Sequence, residues 1–205
     1  MAYCDWSRSE MEAQAYHDEI WGTPVHDDRI MFEYLSFEVM QCGLSFLLVW
    51  KKRKILESCF ASFDYEKVSK FTSEDVRRIL QTGGMIRSEA KIRAIISNAG
   101  CFMKIREKYG SFSSYLWSYS DNKMILYEGH EKGDIPASNR LSEKISKALK
   151  KEGFSFLGPV VVYSHLQACG IINDHDEHCP RREYLISHYP TVIKKRYGEK
   201  GRHQF

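Results

Sequence analysis

The chain has 205 residues, 43% of them hydrophobic and 28% charged, with a net charge of +3. That is ordinary for a soluble globular protein with room for one domain or two closely packed lobes. No apolar run reaches the ~18 residues that span a bilayer, so no membrane partner is expected. The charge is too small to name a nucleic-acid partner by itself, but it is uneven: residues 180–205 carry seven Lys or Arg against two Glu, which reads as a basic tail. The first ten residues hold no signal-peptide core, which places the protein in the cytoplasm. There the six cysteines are thiols or metal ligands rather than disulfides.

In chain order the pattern is helical throughout. Residues 9–20 form a first helix. Asp27 or Asp28 can cap the next, which opens the apolar stretch 31–53. Gly43 breaks that stretch into two helices, with Ser45 as a cap for the second. Residues 54–63 continue helical and Asp64 opens a turn. Residues 73–82 follow, capped by Thr72 or Ser73 with Glu74 and Asp75 in the first turn, and Gly83-Gly84 stops them. Residues 88–108 and 111–118 are helices, 121–135 a charge-rich loop, and 141–150 an amphipathic helix. Pro159 to Tyr163 reads as strand or helix, and 160–173 as the last core helix. The fold class is all-α.

Three groups of residues carry chemistry. Glu38 is the one formal charge between Tyr34 and Trp50, and a carboxylate in such company is costly to bury unless hydrogen-bonded. Glu33 looks like the exposed residue of that helix. Gln41 and Ser45 fall nearer the Glu38 face, as in a polar groove in an apolar wall. Second, Gly83-Gly84 with Arg87 and Lys91 suits a phosphate at a helix N-terminus, although an ordinary helix hairpin has the same pattern. Third, Cys4 and His17 near one end, and His175 and Cys179 near the other, are possible metal ligands. His178, His188 and Cys169 are rivals. Tyr3, Trp6, Tyr16 and Trp21 suit a core, or stacking on an extruded base.

In this order, Cys4-x-Trp6, AYHDEIWG (15–22), FEYLSFEVMQCGLSF (32–46), KALKKEGFSFLG (147–158) and YSHLQACGIINDH (163–175) resemble the bacterial DNA-3-methyladenine glycosylase I (Tag) family. The resemblance implies a helix-hairpin-helix fold over 1–179 as one glycosylase domain, with 180–205 a tail outside it. It implies one structural zinc on Cys4, His17, His175 and Cys179. It implies a base pocket with Glu38 as the catalytic carboxylate, and Trp6, Tyr16 and Phe46 around the base. Gly83, Gly84, Arg87 and Lys91 would then hold DNA phosphate. The implied partner is alkylated double-stranded DNA, the product 3-methyladenine, and the protein a monomer.

The pattern departs from the family's at Phe46 (usually Trp), Ala13 (often Tyr), His165 (usually Phe) and Ser138-Asn139. Two other readings follow: a glycosylase of altered alkylpurine specificity, using room left by Ala13 and Phe46, or a non-catalytic lesion-binding module. A zinc-stabilised RNA-binding domain is a weaker third.

Overall fold

In this computed structural model residues 4–8 and 10–195 are described. Tyr3 and residues 196–205 of the basic segment lie outside them. The protein is mostly helical. The helices are α1 (Met11–Glu19), α2 (Asp28–Gln41), α3 (Phe46–Trp50), α4 (Arg53–Cys59), α5 (Tyr65–Val68), α6 (Ser73–Gln81), α7 (Glu89–Tyr109), α8 (Phe112–Trp117), α9 (Arg140–Lys151), α10 (Pro159–Ala168) and α11 (Pro180–His188).

α2 is the central core helix. Asp27 caps it, its Oδ1 accepting from Ile30 N at 2.9 Å. Met31, Phe32, Leu35, Phe37, Val39 and Met40 are buried against α3, α7, α8 and α10. Asp28 fixes the neighbours: its carboxylate accepts from Arg106 Nε on α7 (2.8 Å) and from Phe112 N and Ser113 N at the start of α8 (3.1 and 2.8 Å). Those two amides have no intrahelical acceptor, so the carboxylate satisfies orphan donors as well as an ion pair. Thr72 and Asp75 form a capping box on α6. α7 buries Ile92, Ile95, Ala99 and Phe102 on one stripe.

Several expectations are corrected. Residues 54–63 do not continue as one helix. α4 ends at Cys59, and Ala61, Ser62 and Phe63 take φ of 50, 53 and 56°. That turn drives the buried Phe63 ring to 5.6 Å from Phe37. Pro159 to Tyr163, open between strand and helix in the sequence, is helical, with Pro159 in the first turn where its missing N–H costs nothing. The loop 121–135 contains strand β1 (Met124–Tyr127). The segment after Cys179 contains α11 and strand β2 (Thr191–Lys194), so that much of it is structured. β1 and β2 pair in parallel with Met124 opposite Thr191 and Tyr127 opposite Lys194. Finally Glu33 is buried, paired with Arg53 (Oε1 to Nη2, 2.8 Å).

His165, on α10, is buried with neither ring nitrogen hydrogen-bonded among the described residues. Burial lowers its pKa to about 4, so the ring is neutral. An apolar ring should serve better: His165→Phe is expected to stabilise the protein by about 1–3 kcal/mol at neutral pH. The native-state pKa lies below the unfolded one, so the cost of His165 grows as pH falls from about 6.5 towards 4. Thermal melts of both proteins at pH 5 and pH 7.5 check this. The Phe variant's advantage should be larger at pH 5, and an equal or reversed difference contradicts it.

Candidate active site

One face of α2 meets α1, α3 and α10 in a two-part recess. The inner part is lined by Tyr16, Tyr34, Phe37, Glu38, Gln41, Phe46 and Trp50, and has room for only about 10 Å³. It opens into an outer cleft of about 580 Å³ shared by Trp6, Tyr16, Trp21, Glu38, Gln41, Phe46, Ser164 and Gln167. The inner part holds one water at most, and a flat heterocycle enters only if its rings part. Those rings are in mutual contact: Tyr16 lies 4.5 Å from Phe46 and 4.6 Å from Trp50, and Phe46 stacks on Trp50 at 5.8 Å, all between centroids. Trp6, 41% exposed, stands at the mouth, 6.4 Å from Tyr16 and 6.2 Å from Phe46.

Glu38 is half-buried where the two parts meet. No described residue hydrogen-bonds or ion-pairs with its carboxyl. Burial raises its pKa to about 8, and no nearby cation offsets that. The contrast with Glu33 is instructive, because one helix carries both carboxylates. Glu33 is closed off by Arg53 and serves the fold, whereas Glu38 faces a cleft with its acceptor capacity unspent. A group that costs stability and points into a cavity is a functional candidate.

Glu38, Trp6, Tyr16 and Phe46 thus line one recess. Ser45 does not: it is exposed and caps α3, accepting from Leu48 N at 3.3 Å. Ala13 is buried and lines neither part of the recess, so of the departures named above Phe46 alone stands in its wall among the described residues. Tyr34, Trp50 and Gln167 were not singled out from the sequence. Trp50 had a signal, since it follows Phe46 by four residues on one helix.

Cys4, His17, His175 and Cys179 form a second site behind the cleft. All four are buried, with their ligand atoms within 4.8 Å of one another. Cys4 Sγ lies 3.6 Å from His175 Nδ1, and Cys179 Sγ lies 3.5 and 3.6 Å from His17 Nε2 and His175 Nδ1. The outer ring nitrogens are engaged, His17 Nδ1 with Asp18 at 2.7 Å and His175 Nε2 with the Trp21 carbonyl at 3.3 Å. Both are oxygen acceptors, to which the outer ring N–H groups donate, so the inward nitrogens, 3.1 Å apart, turn lone pairs towards each other. That arrangement is repulsive unless a cation sits between them. A hydrogen bond from the Cys4 thiol holds Cys179 far below the usual thiol range, while that bond and burial push Cys4 up. The four side chains could together hold a metal ion. It also supports the cleft: Trp6 meets His17 at 5.5 Å and Trp21 meets His175 at 4.5 Å, both edge to face. Gly22 is required beside it, at φ +78° with a Cβ that would meet His175 Nε2 at 2.9 Å.

The α6–α7 connection places Gly83, Gly84 and Arg87 on the surface. Lys91 is diverted: its ammonium donates to the carbonyls of Met40 and Cys42, at 2.9 and 2.5 Å, closing the C-terminus of α2. Lys52 donates to the Gly84 carbonyl and so takes the side of the turn facing α4.

A family model described as methyladenine glycosylase matches residues 6–182. The chain belongs to that family. It is 39% identical over 179 residues to DNA-3-methyladenine glycosylase 1 of Escherichia coli K12, covering 87% of this chain and 96% of the relative. It is 35% identical over 177 residues to DNA-3-methyladenine glycosylase of Haemophilus influenzae, covering 86% and 96%. Among solved structures, the Y16F variant of 3-methyladenine DNA glycosylase I in complex with 3-methyladenine superposes with a TM-score of 0.84 at 35% identity, covering 89% of this chain and 98% of that one. Among the described residues no helix is long and apolar enough to cross a membrane.

Proposed function

We propose that this methyladenine glycosylase hydrolyses the N-glycosidic bond of 3-methyladenine in alkylated duplex DNA, as a base-excision repair enzyme acting as a monomer. The observation that carries the reading is the unpartnered Glu38 carboxyl among Tyr16, Phe46 and Trp50.

Methylation at N3 makes the nucleoside cationic and weakens its glycosidic bond. What remains is to extrude the base, hold it and admit water to C1′. Extrusion is cheapest for a damaged, poorly paired base. Glu38 supplies the discrimination. With its pKa near 8 the free enzyme holds it protonated at neutral pH. A cationic purine beside it favours the carboxylate, which then accepts from the amino edge. Neutral adenine gives no such inducement, so the binding energy is realised on the lesion. Tyr16, Phe46 and Trp50 would part to enclose the ring, with Trp6 at the entrance. No lysine lines the cleft among the described residues, which supports hydrolysis without strand cleavage.

The α6–α7 pair is the helix-hairpin-helix element in this reading. Gly83 and Gly84 approach a phosphate by backbone N–H groups, and Arg87 adds charge. Arg87→Ala is expected to weaken binding about threefold to tenfold on any duplex and to flatten the salt dependence by roughly one phosphate contact. Lys91→Ala should instead lower the melting temperature by unmaking the α2 terminus. Titrations at two salt concentrations with a melt of each variant separate the two. An Arg87→Ala affinity and salt slope equal to wild type would make the hairpin a mere turn.

We assign zinc as the ion of the Cys/His cluster. A tetrahedron with ~2.3 Å bonds to sulfur and ~2.05 Å bonds to nitrogen puts sulfur and nitrogen ~3.6 Å apart and the two nitrogens ~3.3 Å apart. The side chains stand at 3.5–3.6 and 3.1 Å. Its role is structural, because all four positions are protein ligands and none is left for water.

The test of the activity is a duplex bearing one 3-methyladenine, treated with alkali after incubation. Cleavage at the lesion only after alkali is expected. An intact strand supports the lesion-binding module instead, and cleavage before alkali means a lyase.

A further inference from the structure

Asp174 is 1% exposed, and three donors converge on its carboxylate. His130 Nδ1 reaches Oδ1 at 2.7 Å, and Tyr163 Oη and Gln167 Nε2 reach Oδ2 at 2.6 and 2.8 Å. His130 comes from the turn after β1, the other two from α10. A carboxylate only accepts, so the Gln167 amide must turn its nitrogen to Asp174. The amide is planar, and Oε1 is thereby directed away from Asp174. Gln167 is half-buried in the wall of the outer cleft, and no described residue donates to that oxygen. The result is a hydrogen-bond acceptor of fixed direction with its capacity unspent.

Its position is as telling as its direction. Glu38, Tyr16 and Phe46 line both parts of the recess, whereas Gln167 lines only the outer one. A purine drawn inward among the aromatic rings leaves its sugar outside, beside Gln167. The other outer acceptors are less well placed. Asp5 is exposed and pairs with Arg8, and Asp176 is tied to the metal cluster, its N–H donating to Cys4 Sγ at 3.3 Å.

We propose that Gln167 orients the water that attacks C1′, with Asp174 as the positioning residue that locks its amide. The assignment rests on the glycosylase reading above. In the step, the C1′–N9 bond breaks and its electron pair passes to the cationic base, which leaves neutral. The water oxygen forms the new bond to C1′ and its proton goes to solvent. Gln167 takes no proton. Its Oε1 accepts a hydrogen bond from the water and so aims the oxygen lone pair at the sugar.

Gln167→Met keeps the side chain's length and removes both amide atoms. Single-turnover release of 3-methyladenine from a duplex should fall about tenfold or more, the loss of one positioning hydrogen bond in the transition state. Affinities for free 3-methyladenine and for DNA should stay within about twofold, because ground-state binding is not removed. Gln167→Ala, read the same way, is the second variant. Undiminished release by the variants with normal wild-type release overturns the assignment alone. So does a loss of free-base affinity that matches the loss of rate, which would make Gln167 a base-recognition residue. If wild type releases no 3-methyladenine, the glycosylase reading fails and takes this assignment with it.

Discussion

Glu38→Gln is expected to cut single-turnover excision of 3-methyladenine ten- to a hundredfold while leaving the protein as stable as wild type or more so. The change keeps size and removes charge. A charge-assisted hydrogen bond is worth roughly 1.5–3 kcal/mol, which sets the size of the fall. Affinity for the neutral free base should fall less than the rate, because that base gives Glu38 no inducement to ionise. The gain in stability follows from burial without a partner. The native-state pKa of about 8 lies above the ordinary carboxyl value of 4.5. The folded protein therefore binds more protons than the unfolded chain between those values, and stability falls as pH rises through them. By linkage that is worth at most about 4–5 kcal/mol, and about 1–2 once solvent in the cleft is allowed for. The advantage of Glu38→Gln in melting temperature should grow from pH 5 to pH 8.5. Glu33→Gln is the control. It breaks the Glu33–Arg53 pair and should lower the melting temperature with excision little changed. Full activity with a lowered melting point in Glu38→Gln would return Glu38 to the core.

Loss of the metal is the second large effect. Structural zinc carries ~10 kcal/mol or more of folding energy in small fingers. Here α2, α7 and α10 have a core of their own, so the loss should be partial. Cys179→Ala, or chelation under mild denaturant, is expected to cost about 3–5 kcal/mol, which for a chain of this size is roughly 6–20 °C in melting temperature. Trp6 and Trp21 rest edge-on against His17 and His175, so affinity for the free base should weaken in step. Metal analysis of protein purified without chelator should find close to one equivalent of zinc. Less than half an equivalent, or an unchanged melting temperature in Cys179→Ala, would contradict the assignment.

The helices were legible where their cause is local. Asp27, Thr72 and Ser45 announced caps that the structure contains, and the apolar run after Asp28 announced the central helix. What was hidden depends on partners distant in sequence. β1 and β2 are four residues each and pair across more than sixty residues, with no alternation long enough to mark either. Glu33 looked exposed because its charge is answered by Arg53, twenty residues on. Lys91 looked like a phosphate ligand because nothing in its surroundings betrays the carbonyls of Met40 and Cys42. At the site, spacing showed two ligand pairs at opposite ends of the chain and could not join them; family resemblance did. Gln167 was invisible for the same reason as Glu33: its direction is set by Asp174, and Asp174 is set by His130 and Tyr163.

Chromatography of the bases released from N-methylated duplex DNA is the most direct measurement of what this protein does. Wild type should release 3-methyladenine and leave adenine in the strand, with Glu38→Gln releasing the methylated base ten- to a hundredfold more slowly. Release of adenine and 3-methyladenine alike, or of neither, would show that the Glu38 recess does not select a cationic purine for excision.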